Sequence, residues 1–265
     1  MKVGFIGLGQ QGTPIARRIA EAGIPITVWA RRPEVVEQAA EWGADAADSP
    51  AALGAACDVV AICVFDAAGV DEVLFGPDGL IDAATPNTVV LMHTTLSPAD
   101  ARRIAERAAR HDVVVLDAPV SGGPNAAAAG ELVVLLGGPT ESTEAVRPVI
   151  DAYAGHVIRF AEVGSAQHAK LINNGLLAAQ VALVVDAVRL GAQGGVDAAQ
   201  LLDVLRNGSA RSYAAELFAM FGSVDRLARS HFKPTIGKDV QLFLDAIEQP
   251  SALADLAVAL IRQLD

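Results

Sequence analysis

Two cysteines, two tryptophans and two tyrosines are all that the 265 residues supply of those types. Cys57 and Cys63 share no metal-type spacing with other ligands, which argues against a cysteine metal site. They read as small buried hydrophobes. The five histidines do not cluster, and no metal site is expected. A basic excess is also missing. Lys and Arg total 20 against 31 Asp and Glu, a net charge of −11. That argues against a general nucleic-acid or anionic-membrane partner. No unbroken apolar run reaches membrane-spanning length, since the best stretch, 176–185, is interrupted by Gln180. The first residues enter a strand pattern directly, so no signal peptide and a cytoplasmic location are expected. Repeats and low-complexity tails are absent. What remains, 52% hydrophobic and 19% charged, is the composition of one large or two modest globular domains.

The first 32 residues carry the strongest pattern. An apolar strand at 3–6 runs into Gly7-Leu8-Gly9-Gln10-Gln11-Gly12. A helix pattern (Ile15, Ala16, Ile19, Ala20) follows, Gly23 closes it, and a second strand pattern covers 26–29. Glycines at GxGxxG spacing between a strand and a helix point to a dinucleotide site. Gly7 makes the tight turn, Gly9 lets backbone approach a pyrophosphate, and Gly12 lets helix and strand pack closely. The pyrophosphate would rest on the helix N-terminus, where N–H groups and the dipole favour an anion. An NAD site wants a carboxylate about 20 residues further on, for the ribose 2′-hydroxyl. This chain has Ala30-Arg31-Arg32 there. Two guanidiniums without a carboxylate suit a 2′-phosphate, so NADP(H) is expected, with NAD a weaker alternative.

Strand patterns at 59–64, 89–93 and 113–116 alternate with helix patterns at 13–22, 34–42 and 99–110. Two further β-rich runs, 132–136 and 157–159, flank a helix pattern at 140–154. This predicts an α/β Rossmann-type, doubly wound parallel sheet with helices on both faces. The character changes at Gly164. A long apolar helix is expected over 166–193, followed by helices at 198–206, 212–220, 233–247 and 251–264. The reading is a dinucleotide-binding domain over 1–164 and an all-α domain over 165–265, joined by that helix. So long an apolar helix needs cover, and a homodimer or homotetramer is expected to supply part of it.

Three other segments carry chemistry. Asp117-Ala-Pro119-Val-Ser121-Gly122-Gly123-Pro124 offers a hydroxyl and sterically open N–H groups, which suit a carboxylate or simply make a polar turn. Gly164-Ser-Ala-Gln-His168-Ala-Lys170-Leu-Ile-Asn173-Asn174 places Lys170 four residues before Asn174, on one helix face. A partly desolvated lysine passes a proton near neutral pH; the alternative is a lysine that snorkels to solvent. Gly237-Lys238-Asp239 is read as preceding a helix, its lysine closing over a cofactor or pairing with a carboxylate.

Together these segments resemble the β-hydroxyacid dehydrogenases, the group of 3-hydroxyisobutyrate dehydrogenase and tartronate semialdehyde reductase. The four matching stretches fall in order at Gly7–Gly12, Asp117–Leu132, Gly164–Asn174 and Gly237–Asp239. The resemblance implies a small hydroxy acid or aldehyde acid as substrate and Lys170 as general acid/base. It implies that Ser121, Gly122, Gly123 and Asn174 hold the substrate carboxylate. Thr95 would lie beside the nicotinamide, Val64 and Phe65 would touch the cofactor, and Lys238 would reach it from the helical domain. The chain departs from the family at Gln11 and Ile15, where Met is common, at Arg18, where Asn is common, and at Phe65, where Pro is common. Imine reductases share the architecture but generally carry Asp or Tyr in place of the lysine. A non-catalytic NADP-binding homologue would have lost Lys170 or Ser121, and both are present.

Overall fold

The structure is a computed structural model that describes residues 1–265. By compactness the chain divides into two units, Met1–Lys170 and Leu171–Asp265. In the first, strands β1 (Val3–Ile6), β2 (Ile26–Trp29), β3 (Asp45–Ala46), β4 (Val59–Ile62), β5 (Val89–Met92) and β6 (Val114–Asp117) are parallel. Helices α1 (Gly12–Glu21), α2 (Pro33–Ala39), α3 (Pro50–Ala56), α4 (Ala67–Phe75) and α5 (Pro98–Ala109) connect them. Then come β7 (Val120–Ser121), α6 (Gly123–Ala129), β8 (Leu132–Gly137), α7 (Thr140–Ala145), α8 (Arg147–Ile150) and β9 (Ala154–Phe160). The strand order is β3-β2-β1-β4-β5-β6-β8-β7, with β9 paired to β8. The direction of winding reverses between β1 and β4, the switch point at which an open α/β sheet takes its ligand.

The strands read as near-continuous apolar runs because both faces are covered. Alternate residues feed two separate cores. Val59 and Ala61 point into the one with Phe5, Ile15 and Tyr153. Val60 and Ile62 point into the one with Leu53, Leu74 and Ile104. Tyr153 is fully buried, and its hydroxyl lies 3.2 Å from His93 Nε2, while His93 Nδ1 lies 2.7 Å from the Ala118 carbonyl. Desolvation pushes His93 down to about 4, so it is a neutral structural link. Burial likewise raises the Cys57 and Cys63 thiols to about 11 and about 12, which keeps them protonated.

Several expectations need correction. The sheet is mixed, since β8 runs antiparallel to both β6 and β7 while β9 runs parallel to β8. The helix expected at 140–154 is two short ones, because Pro148 cannot continue the ladder and instead opens α8. The long helix α9 (Ser165–Gln193) forms as expected. Gln180 does not, however, take it out of membrane-spanning range. By length and composition α9 could cross a bilayer, but such a helix also suits a protein core, and 44% of its most apolar window is buried.

The second unit continues α9 and adds α10 (Ala198–Asn207), α11 (Tyr213–Phe221), α12 (Val224–Ala228), α13 (Phe232–Ala246) and α14 (Ala252–Leu264). Its core gathers Ala178 and Val181 of α9, Phe218, Val240 and Leu260. Gly237-Lys238-Asp239 lies inside α13 rather than before it. Pro234 sits in the first turn, where its missing N–H costs little. Ile236, Val240 and Phe243 recur on the buried face and outweigh the low helix propensity of Gly237.

The β1–α1 turn depends on two glycines. Gly7 adopts a φ of 99°, and a Cβ there would run into the Cys63 carbonyl. A Cβ on Gly12 would run into the Gly7 carbonyl and stand 3.1 Å from the Phe5 ring. Gly9 differs, since a Cβ there meets no atom within 4 Å. Gly12→Ala is therefore expected to destabilise the protein by about 1–3 kcal/mol, the usual cost of overpacking. Gly9→Ala should change stability by less than about 0.5 kcal/mol. Urea denaturation of the two variants checks this, and equal losses would contradict it.

Candidate active site

The turn after β1 is shaped for an anion. No acidic residue lies in the first turn of α1, and Gln11, its N-cap residue, makes no side-chain capping bond. The Gln11 Nε2 amide is buried without a hydrogen-bond partner. Two residues earlier, Gly9 faces open space, since a Cβ there would meet no atom within 4 Å. An orphaned donor, bare backbone and an uncapped helix N-terminus fit a dinucleotide pyrophosphate. Leu8 is buried and Gln10 is exposed. The Leu8 carbonyl accepts a bond of 3.4 Å from Arg32 Nη2, which ties the glycine loop to the end of β2.

Beyond β2, Ala30 is half-buried and both arginines are exposed. The expectation that no carboxylate is near them needs amending. Glu72 of α4 lies 3.9 Å from Arg31 Nη1. Both side chains are largely in solvent, so the pair is weak and screened. Its members are far apart in the chain, so residue spacing gave no signal for it.

The ends of β4 and β5 are laced together. Thr94 Oγ1 donates to the Val64 carbonyl at 3.0 Å and accepts from the Val64 N–H at 3.1 Å. Phe65 follows, 55% exposed, and Thr95 is half-buried. Ser121, at the end of β7, is half-buried. Gly122 and Gly123 have φ of 128° and 73° and lead into α6, so their N–H groups turn where a side-chain-bearing residue would be strained.

Lys170 is only 7% exposed, which removes the snorkelling alternative. His168 is exposed. In the helical unit Asn174 is buried and its Nδ2 donates to Asp239 Oδ2 at 2.6 Å. Asp239 Oδ1 takes an ion pair of 2.7 Å from Lys238 Nζ. Asn173, three residues after Lys170, is exposed, and its Nδ2 donates to Asn174 Oδ1. Asp239 thus joins two residues that the sequence assigned to different ligands. The signal was its place directly after Lys238, one helical turn from Ile236 on the buried face of α13.

Comparison with known proteins gives the family. Residues 2–164 match the family described as the NAD binding domain of 6-phosphogluconate dehydrogenase. Residues 164–264 match that described as NAD-binding of NADP-dependent 3-hydroxyisobutyrate dehydrogenase. An L-threonate dehydrogenase of Cupriavidus necator is 34% identical over 239 residues, 90% of this chain and 79% of the relative. A solved 3-hydroxyisobutyrate dehydrogenase from Salmonella typhimurium superposes with a TM-score of 0.85 at 30% identity, covering 97% of this chain and 92% of that one. A Streptomyces aurantiacus imine reductase, at 21% identity and a TM-score of 0.72 over 99% of this chain and 94% of that one, shares the fold alone. With a Rossmann sheet, a long helix, an all-α unit and these matches along its length, the chain belongs to the β-hydroxyacid dehydrogenase family of oxidoreductases.

Proposed function

We propose that this chain interconverts a small hydroxy acid and its aldehyde or keto acid with NADP(H). The observation that carries the reading is Lys170, an ammonium side chain held out of solvent at the start of a helix. The cofactor's pyrophosphate would lie over Gly7, Leu8, Gly9, Gln10, Gln11 and Gly12. Its adenine ribose would lie by Ala30, Arg31 and Arg32, and its nicotinamide end by Val64, Phe65 and Thr95. Lys238 would also contact the cofactor.

When bound, the nicotinamide supplies or accepts the hydride equivalent. The chain's own residues do the rest. The Ser121 hydroxyl and the Gly122 and Gly123 N–H groups hold the substrate carboxylate, and Asn174 adds an amide from the same helix as Lys170. In reduction, Lys170 Nζ gives its proton to the carbonyl oxygen; in oxidation it takes the hydroxyl proton. Fixing the carboxylate turns the remaining carbon toward the cofactor, and such positioning carries much of an enzyme's advantage.

NADP preference rests on the two arginines after β2. A charge-assisted bond to phosphate contributes about 1.5–3 kcal/mol. The Arg31 guanidinium is mostly exposed and only weakly engaged by Glu72, so it is free to turn to a 2′-phosphate at little cost. The homo-oligomer reading also gains support. Ile172, Leu176, Leu183 and Leu190 are all exposed. At about 100° per residue they form one stripe along α9.

Three outcomes are expected. Lys170→Ala should lower kcat by about two to four orders of magnitude while NADPH binding changes little, and Lys170→Arg should not restore it. A folded Lys170→Ala enzyme keeping more than about a tenth of wild-type kcat contradicts the role. Arg31→Ala should raise the KM for NADPH by about one to two orders of magnitude and leave NADH nearly unchanged; equal wild-type efficiency with both coenzymes contradicts the preference. Light scattering at micromolar concentration should show a species larger than the 27.3 kDa chain, and a monomer alone refutes the assembly.

A further inference from the structure

Two buried polar side chains have no part in the roles above. Asp117 ends β6 and is fully buried. Its Oδ2 accepts from the backbone N–H of Gly164 at 2.9 Å and of Gln167 at 3.1 Å. These are donors of the first turn of α9, which has no intrahelical acceptors for them. A carboxylate from the sheet therefore caps the helix that carries Lys170. Its Oδ1 is buried without a partner, and a Cβ on Gly137 would run into it, so the group is boxed in by backbone. Burial pushes this carboxyl up to about 6. It is ionised near neutral pH and faces the positive end of the helix.

Gln167 is also fully buried, and both ends of its amide go to backbone. Nε2 donates to the Thr94 carbonyl at 2.9 Å, and Oε1 accepts from the Leu96 N–H at 3.0 Å. Those two groups flank Thr95. One side chain thus grips the peptide on both sides of Thr95, while its own N–H is gripped by Asp117. Lys170 stands three residues further along the same helix, the next turn on the same side. The neutral amide suits this double task. A glutamate would lose the donor to Thr94, and an apolar side chain of similar size would lose both bonds.

We propose that Gln167, oriented by Asp117, is a positioning residue that locks the Thr94–Leu96 segment to the first turn of α9. The lock sets the spacing between Thr95, beside the nicotinamide, and Lys170, the proton donor. It does not touch substrate or cofactor. The proposal rests on the roles given to Lys170 and Thr95 above, and its effect belongs to the reacting geometry rather than to affinity. A displacement of about 1 Å at a reacting centre costs on the order of a hundredfold in rate.

The test compares Gln167→Met and Gln167→Ala in the full-length protein, with Lys170→Ala beside them. Methionine keeps the volume of the side chain and removes both hydrogen bonds, and it keeps the test alive if the alanine variant does not fold. Circular dichroism checks folding, nicotinamide fluorescence gives the NADPH dissociation constant, and steady-state kinetics give kcat and KM. Gln167→Met is expected to lower kcat by about tenfold or more, with cofactor binding and substrate KM within about threefold of wild type. A folded Gln167→Met enzyme with wild-type kcat overturns the proposal, because filling the space would then suffice. Parallel loss of kcat and NADPH binding overturns it too, as a general structural effect. If Lys170→Ala loses kcat and Gln167→Met keeps it, this proposal fails alone. If Lys170→Ala keeps kcat, the proton-donor reading fails and this proposal with it.

Discussion

Backbone-on-backbone contact at the β1–α1 turn is the constraint on which the first unit depends. Gly12 stands against the Gly7 carbonyl, and Gly7 stands against the Cys63 carbonyl beyond β4. A side chain at either position would push α1 away from the sheet. With both absent, the N-terminus of α1 comes down onto the ends of β1 and β4, at the point where the winding reverses. The same turn carries the uncapped helix end, the unpartnered Gln11 amide and the open space at Gly9. The anion-receptive cradle is thus a consequence of packing, and no cationic side chain is needed to form it.

Charge is used sparingly and locally. The chain is acidic overall, at −11, yet Arg31 and Arg32 stand exposed just beyond β2. Two buried carboxylates have defined partners. Asp117 is held by the α9 N–H groups, and Asp239 is held by Lys238 and Asn174. Each of the two carboxylates orders a residue proposed to act in the reaction. Breaking one such contact by removing a single partner is costly, because the group left behind remains buried.

Much of the fold was legible because its signals are local. The apolar runs of β1, β4 and β5 announce strands covered on both faces, and the glycine spacing announces the turn. Helices α3, α4, α6 and α12 were not picked out, and two strands escaped because their existence depends on distant partners. β3 and β7 are two residues each, and their pairing is set by neighbouring strands, not by their own propensity. The antiparallel return of β8 is a matter of topology, which side-chain periodicity does not encode. Lys238 was read as preceding a helix although the helix pattern at 233–247 already enclosed it, and the buried positions Ile236, Val240 and Phe243 hold it inside α13. In the site, the motif positions were readable from sequence. The contacts of Asp117 with Gln167 and of Arg31 with Glu72 were not, since each joins residues brought close only by folding.

The central claim is that this architecture serves a carboxylate-bearing carbonyl substrate reduced with help from a lysine. The most direct test follows NADPH consumption by the wild-type protein with a series of short aldehyde and keto acids, and in parallel with cyclic imines that lack a carboxylate. The account predicts turnover of one or more of the acids, loss of that turnover when the carboxylate is replaced by an amide, and no turnover of the imines. Turnover of imines with none of the acids would contradict it.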